Sequence, residues 1–200
     1  MSLPPRDSAA ITLMAPVWTV TQAAEYAAAG ARLVDVGDRH ALIPAIRDQL
    51  GDLRICGYSA AADIVRDADL AARTGAGLIC PDVRAAARAG QLGIAAERVL
   101  VQTGPAGIAA AAQAGWAILV DLAGQDADLT GRDMAAREAA AREAAAREAA
   151  AREAAVAAVC AWLGVSVIRT RHVTEVRRSV EMTESILGRR PPAGTLRGLA

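Results

Sequence analysis

Short apolar runs rich in β-branched residues recur along the chain. Between them lie alanine-rich stretches whose apolar positions return every three or four residues. The first kind reads as strands buried on both faces, the second as helices that cover them. Strands are predicted at Ile11 to Val17, Arg32 to Val36, Leu53 to Cys56, Gly77 to Cys80, Arg98 to Gln102, Ala117 to Leu122 and Val165 to Ile168, seven in all. Helices are predicted at Thr21 to Ala29, His40 to Leu50, Ala60 to Arg73 and Pro105 to Ala114, several ending in a glycine just before the next strand. Strand and helix in alternation call for a parallel sheet. The rhythm favours an α/β fold of the (β/α) TIM-type barrel over a doubly wound sheet, shortened because seven recognisable strands are one fewer than a full set.

The pattern breaks between Asp133 and Ala155, where a pentapeptide repeats: Glu138 to Arg142, Glu143 to Arg147, Glu148 to Arg152, then Glu153. Each of these first three glutamates precedes an arginine by four residues, the favourable helical orientation, and alanine has the highest helix propensity. Five residues advance about 140° around a helix, so the repeat forms no continuous apolar stripe and no coiled-coil seam. One abnormally long Ala/Arg/Glu helix is expected, running on to Leu163 and docking only through Val156, Val159, Cys160, Trp162 and Leu163. The repeat reads either as an insertion that lengthens one helix into solvent or as a rigid spacer. The whole of 1–200 is expected to form a single domain around it.

After this helix, Val165 to Ile168 delivers Arg169, Thr170, Arg171 and His172 to a strand's C-terminal end, where α/β folds gather their binding groups. Val173 to Leu187 then carries a helical stripe, closed by Gly188 and by Pro191 and Pro192. Arg169, Arg171 and His172 make a cationic tip suited to phosphate or carboxylate; alternatively Arg169 pairs with a carboxylate such as Asp121. Asp35, in the second strand, can cap the next turn. The Gly104 to Ala109 segment reads as an anion-binding helix start or as a simple loop into a helix. His40 stands alone at a helix start.

Composition narrows the function class. The chain has 54% hydrophobic residues, 22 basic against 22 acidic side chains and a formal charge of +0, which excludes a disordered or nucleic-acid-coating protein. Every basic residue is arginine, so no lysine is present to act as nucleophile or proton donor. Cys56, Cys80 and Cys160 are odd in number, lack metal-site spacing and sit in apolar runs, as reduced core cysteines of a cytoplasmic protein do. No apolar run has membrane-spanning length, and the N-terminus lacks a signal-peptide core. No metal site is expected from a His/Cys set.

The segment IRTRHVTEVRRSVEMTESILGRRPPAGTLRGLA, with GARLVDVGD at Gly30 to Asp38, ALIPAIRDQL at Ala41 to Leu50, TGAGLIC at Thr74 to Cys80, ERVLV at Glu97 to Val101 and GWAILV at Gly115 to Val120, resembles the dihydropteroate synthase family of pterin-binding TIM barrels. Its tail is most similar to the actinobacterial dihydropteroate synthase-like second paralogues. The resemblance implies a transferase of folate biosynthesis. It would join 6-hydroxymethyl-dihydropterin pyrophosphate to p-aminobenzoate, with Mg²⁺, as a homodimer. It also implies ligand contacts for Asp35 and for Arg169.

The chain departs from the family's motifs at most functional positions. Val17-Trp18-Thr19-Val20 replaces the Asn-x-Thr-Pro-Asp-Ser-Phe loop, and Gly57-Tyr58 stands for Asp-Thr after the third strand. The following βα unit reads as merged or deleted. Gln102-Thr103-Gly104 stands for Asp-Pro-Gly, Ala123-Gly124-Gln125 for Ser-Arg-Lys, and Arg171 for the histidine of Arg-x-His. The sequence therefore reads as a degenerate family member that binds a pterin or an anionic small molecule without conventional synthase activity. The alternatives are an active transferase with a site rebuilt from Asp35, Asp121, Arg169 and Arg171, with Mg²⁺ if that chemistry is retained, and an assembly element built on the long helix. Neither nucleic acid nor a membrane is expected as a partner, and catalytic residues are not assigned.

Overall fold

The computed structural model describes residues 10–123 and 137–190, with side chains of the second segment from residue 143 onward. Eight parallel strands close into a barrel in sequence order. They are β1 (Thr12–Pro16), β2 (Leu33–Gly37), β3 (Arg54–Gly57), β4 (Ile64–Val65), β5 (Gly77–Cys80), β6 (Val99–Thr103), β7 (Ala117–Asp121) and β8 (Val167–Arg169). β8 pairs with β7 on one side and with β1 on the other, Leu13 lying opposite Ile168, and this pairing closes the ring. The helices are α1 (Val20–Ala29), α2 (Ile43–Gln49), α3 (Ala68–Thr74), α4 (Val83–Gln91), α5 (Ile108–Gln113), α6 (Arg137–Trp162) and α7 (Val173–Ile186).

Alternation along each strand sorts the core into two layers. Met14, Leu33, Cys56, Ile64, Ile79, Leu100, Leu119 and Val167 point inward and fill the barrel. Their neighbours Leu13, Val34, Ile55, Val65, Leu78, Val99, Ile118 and Ile168 point outward and are covered by the helices. A packed barrel interior leaves its C-terminal mouth as the place for a site.

The seven-strand reading needs correction. β4 occupies the middle of the stretch Ala60 to Arg73, which the alanine content had marked as one helix, and the true helix there starts only at Ala68. No helix joins β3 to β4. Asp63 does the work of holding the short connection: its Oδ2 accepts the Ile55 backbone N–H at 2.8 Å and its Oδ1 meets Arg47 at 2.9 Å. The βα unit read as merged or deleted is thus present in compressed form, a strand of two residues followed by α3.

Side-chain caps set the starts of three helices. Thr19, Asp67 and Asp82 cap α1, α3 and α4 by accepting the N–H of Gln22, Leu70 and Ala85. Gly30 ends α1 at φ 111°, and a Cβ there would lie 2.6 Å from the Arg177 Cδ, so glycine also lets α7 approach α1.

α6 is helical over 26 residues, a length of about 39 Å. Its docking starts earlier than the apolar residues suggested. Ala149, Ala150 and Glu153 are buried along with Ala157, Cys160 and Ala161, one continuous face of a helix that packs against α7 and the barrel. Val159, Trp162 and Leu163, expected to dock, are exposed instead. Small side chains allow the two helix backbones to come close, and the Ser179 hydroxyl donates to the Ala154 carbonyl at 2.7 Å across the contact. Residues 133–136 of the repeat segment, Gly124 and Gln125, and the Pro191-Pro192 tail lie outside the described residues.

Candidate functional site at the barrel mouth

Asp35 is set by β2 at the C-terminal mouth and is only 5% exposed. Its Oδ1 accepts the Gly37 backbone N–H at 3.0 Å, which caps the turn after the strand. Its Oδ2 receives two guanidinium groups, the Arg169 Nε at 2.9 Å and the Arg66 Nη2 at 3.2 Å. Arg169 comes from the end of β8 and reaches across β1 to do this. Its other arm lies on Asp121 at the end of β7, with Nη1 at 3.0 and 3.1 Å from the two carboxylate oxygens. Arg66, just past β4, places Nη1 at 2.9 Å from the Gln102 Oε1 on β6. Five strands therefore contribute to one chain of contacts: Gln102, Arg66, Asp35, Arg169 and Asp121.

Two cations and two carboxylates balance within this chain. Such charge-assisted pairs are the strong hydrogen bonds of a protein interior, and they fix each other's orientation. Beneath them sits Cys56, in register with Asp35. Burial, reinforced by the Asp35 charge, pushes the Cys56 thiol up to about 12, so it is a core group without nucleophilic character. Cys80 and Cys160 are likewise buried, and burial pushes both up to about 11.

A second group of residues forms the rim. Trp18, after β1, is 42% exposed. The Arg39 guanidinium, from the turn after β2, lies 5.2 Å from the centroid of its ring, and that of Arg171, after β8, lies 5.5 Å away. Cations over an indole face are attracted by the ring quadrupole, by about 0.5–1 kcal/mol at exposed sites. Arg39 also donates to the Val36 carbonyl at 3.3 Å and lies 4.0 Å from Asp38. The turn that carries Arg171 is held from below: the Thr170 hydroxyl donates to the buried Glu153 carboxyl of α6, and the His172 backbone N–H donates to Thr170 Oγ1 at 2.9 Å.

The structure thus brings Asp35 and Arg169 together and places Arg171 apart from them, on the rim. Asp121 pairs with Arg169, one of the two arrangements its sequence position allowed. His40 is exposed, its Nδ1 at 2.9 Å from the Asp38 carbonyl. Gly104 to Ala109 forms a tight turn into α5, a helix of 6 residues. Sequence reading missed Arg66, hidden inside the overlong helix prediction, and gave no role to Arg39 or Glu153. Among the described residues, no His, Cys, Asp or Glu cluster of three or more is arranged to hold a metal ion. Mg²⁺ needs near-octahedral oxygen donors, whereas Asp35 and Asp121 are bridged by a guanidinium; the donor set does not fit that ion.

An eight-stranded parallel barrel with its polar groups at the C-terminal ends of the strands defines the class: an α/β barrel of the TIM type. Within that class the fold is that of the dihydropteroate synthases. The Coxiella burnetii dihydropteroate synthase in complex with pteroic acid superposes with a TM-score of 0.68 at 12% identity, covering 93% of this chain and 99% of that one. The Yersinia pestis enzyme with a pterine-sulfa conjugate gives 0.66 at 16% identity, over 94% and 100% of the two chains. The Mycobacterium tuberculosis protein Rv1207 gives 0.66 at 24% identity, over 92% and 94%. No family model matches the sequence, and no curated protein matches it. The likeness is therefore one of fold. No helix among the described residues is long and apolar enough to cross a membrane.

Proposed function

We propose that this chain is a cytoplasmic, pterin-binding-type barrel protein related to folate biosynthesis that binds an anionic small molecule at its mouth and lacks conventional dihydropteroate synthase activity. The observation that carries the reading is the self-neutralised chain of Arg66, Asp35, Arg169 and Asp121. An arginine engaged on two carboxylates has already spent its charge, and a ligand phosphate would have to displace both of them. Loss of one preorganised polar group costs on the order of a hundredfold in rate, and here lysine is absent altogether while Gly57 and Gln102 stand where the family's carboxylates are expected.

Binding is a different matter. Trp18 offers a flat apolar ring, Arg39 and Arg171 hold positive charge over it, and Gln102 supplies a polar group at the strand ends. An aromatic or heterocyclic ligand with an anionic group suits that set, the heterocycle replacing a guanidinium over the indole and the anion pairing with the arginine so displaced. Two solved structures of the same fold hold a pteroic acid and a pterine-sulfa conjugate, which makes a pterin diphosphate analogue the probe to use. Calorimetric titration of the full chain with that analogue is expected to show saturable binding that is lost in Arg171→Ala. No saturation by a folded sample would overturn the binding reading. Formation of dihydropteroate at ordinary enzyme rates would overturn the other half and support the active transferase instead. A homodimer through the outer faces of α6 and α7 belongs to the same proposal.

A further inference from the structure

The last glutamate of the pentapeptide repeat behaves unlike the two before it. Glu143 and Glu148 meet Arg147 and Arg152 four residues on, in exposed ion pairs. At that spacing Glu153 meets Ala157, so the repeat's i,i+4 pairing stops there. Its side chain instead turns inward and is 6% exposed. There the Thr170 hydroxyl donates to its Oε2, and its Oε1 lies 4.0 Å from the His172 Nε2. A buried carboxyl is costly unless hydrogen-bonded, so this placement ties α6 to the turn that follows β8.

That turn is the part of the mouth that carries Arg171. Having donated its proton to Glu153, the Thr170 hydroxyl is free to accept the His172 N–H at 2.9 Å. The Thr170 N–H donates to the Met14 carbonyl at 2.9 Å. The backbone is therefore pinned on both sides of Arg171, whose own side chain is exposed and reaches the Trp18 ring. Tyr26 of α1 feels both Arg171 and Glu153, although burial is the main cause of its raised pKa. We propose that Glu153 is a positioning residue for the barrel mouth: by holding Thr170 it sets the 170–172 turn, and through that turn the place of Arg171 at Trp18. The seating of the repeat helix is thereby coupled to the shape of the rim.

The coupling can be read without any ligand, so its failure is distinguishable from failure of the binding proposal. In the full chain carrying Trp116→Phe and Trp162→Phe, Trp18 is the remaining indole. Iodide, drawn by nearby guanidinium charge, and acrylamide, which is neutral, quench its fluorescence. The ratio of the two quenching constants then reports whether Arg171 is in place, with Arg171→Ala as the reference for its loss. Removing one of two adjacent charges is expected to lower the ratio about twofold at moderate salt. Glu153→Ala and Thr170→Val are expected to fall to the Arg171→Ala value. Glu153→Gln, which keeps the oxygen acceptor, and Glu148→Ala, on the exposed side, are expected to keep the parent ratio. A parent-like ratio in Glu153→Ala overturns the proposal; if that variant does not fold by circular dichroism, a parent-like ratio in Thr170→Val does so. Glu153→Gln at the alanine value would also overturn it.

Discussion

At Asp35 one carboxylate serves three donors, the Gly37 N–H and the side chains of Arg66 and Arg169, while almost completely buried. Cutting away Arg169 would remove the bridge between Asp35 and Asp121 and leave both carboxylates in a confined space. Breaking a buried charge pair from one side costs more than the pair contributes, so Arg169→Ala is expected to destabilise the barrel by about 3 kcal/mol. Arg171→Ala, whose exposed guanidinium sits over the Trp18 ring, should change stability by no more than about 1 kcal/mol. Urea unfolding of both variants checks this; equal costs would mean that the contacts at the mouth are looser than their distances say. The contrast also shows which site residues can be read from sequence. Asp35 and Arg169 end strands of clear apolar pattern, so their position at the mouth follows from the pattern. Arg66 follows a strand of only two residues amid alanines, and a period of two cannot register in two residues.

Among the elements, β4 and α6 are the ones in which local propensity and tertiary packing give different answers. Around β4, alanine argues for helix from Ala60 onward, yet Ile64 and Val65 pair with Cys56 and Gly57 on one side and with Gly77 and Leu78 on the other. Two ladders and a fully buried site outweigh propensities that differ by tenths of a kcal/mol. In α6, propensity alone predicted the helix correctly and predicted its contact face poorly. Hydrophobicity pointed to Val159, Trp162 and Leu163, whereas the buried face carries the small residues Ala150, Ala157 and Ala161. This division gives α6 two parts with different energetics. Deleting residues 143–147 removes an exposed repeat turn whose Glu143–Arg147 ion pair contributes a few tenths of a kcal/mol, and the thermal midpoint should hardly move. Ala157→Leu forces bulk into the buried face of α6 and should cost about 1–3 kcal/mol by overpacking. Thermal melts of the two variants compare these parts directly; a large loss on deleting the repeat turn would mean that it helps to hold the barrel.

For the whole molecule, the residues that α6 leaves outside become the point of interest. Val159 and Trp162 of α6, Leu163 just after it, and Met182 and Ile186 of α7 are between 47% and 68% exposed, and the two helices lie side by side. Scattered apolar residues on a surface need no explanation, but five large ones shared by two adjacent helices make a patch of the kind that marks an interface. A second copy of the chain is the occupant consistent with such a face, because two-fold symmetry lets one apolar patch cover its own duplicate. The mouth lies at the C-terminal ends of the strands, whereas this patch lies on the outside of the helical ring, so pairing would leave both mouths open. Light scattering of the purified chain is expected to give twice the monomer mass at micromolar concentration. Trp162→Glu with Ile186→Glu should halve it, since burying a carboxylate on each side of an apolar contact is prohibitive. With Trp116→Phe added, the monomeric variant should keep the Trp18 quenching ratio of the parent, because neither charge substitution lies in the 170–172 turn. A parent that already runs as a monomer would leave the patch without the second copy as its partner and would remove the homodimer from the proposed function.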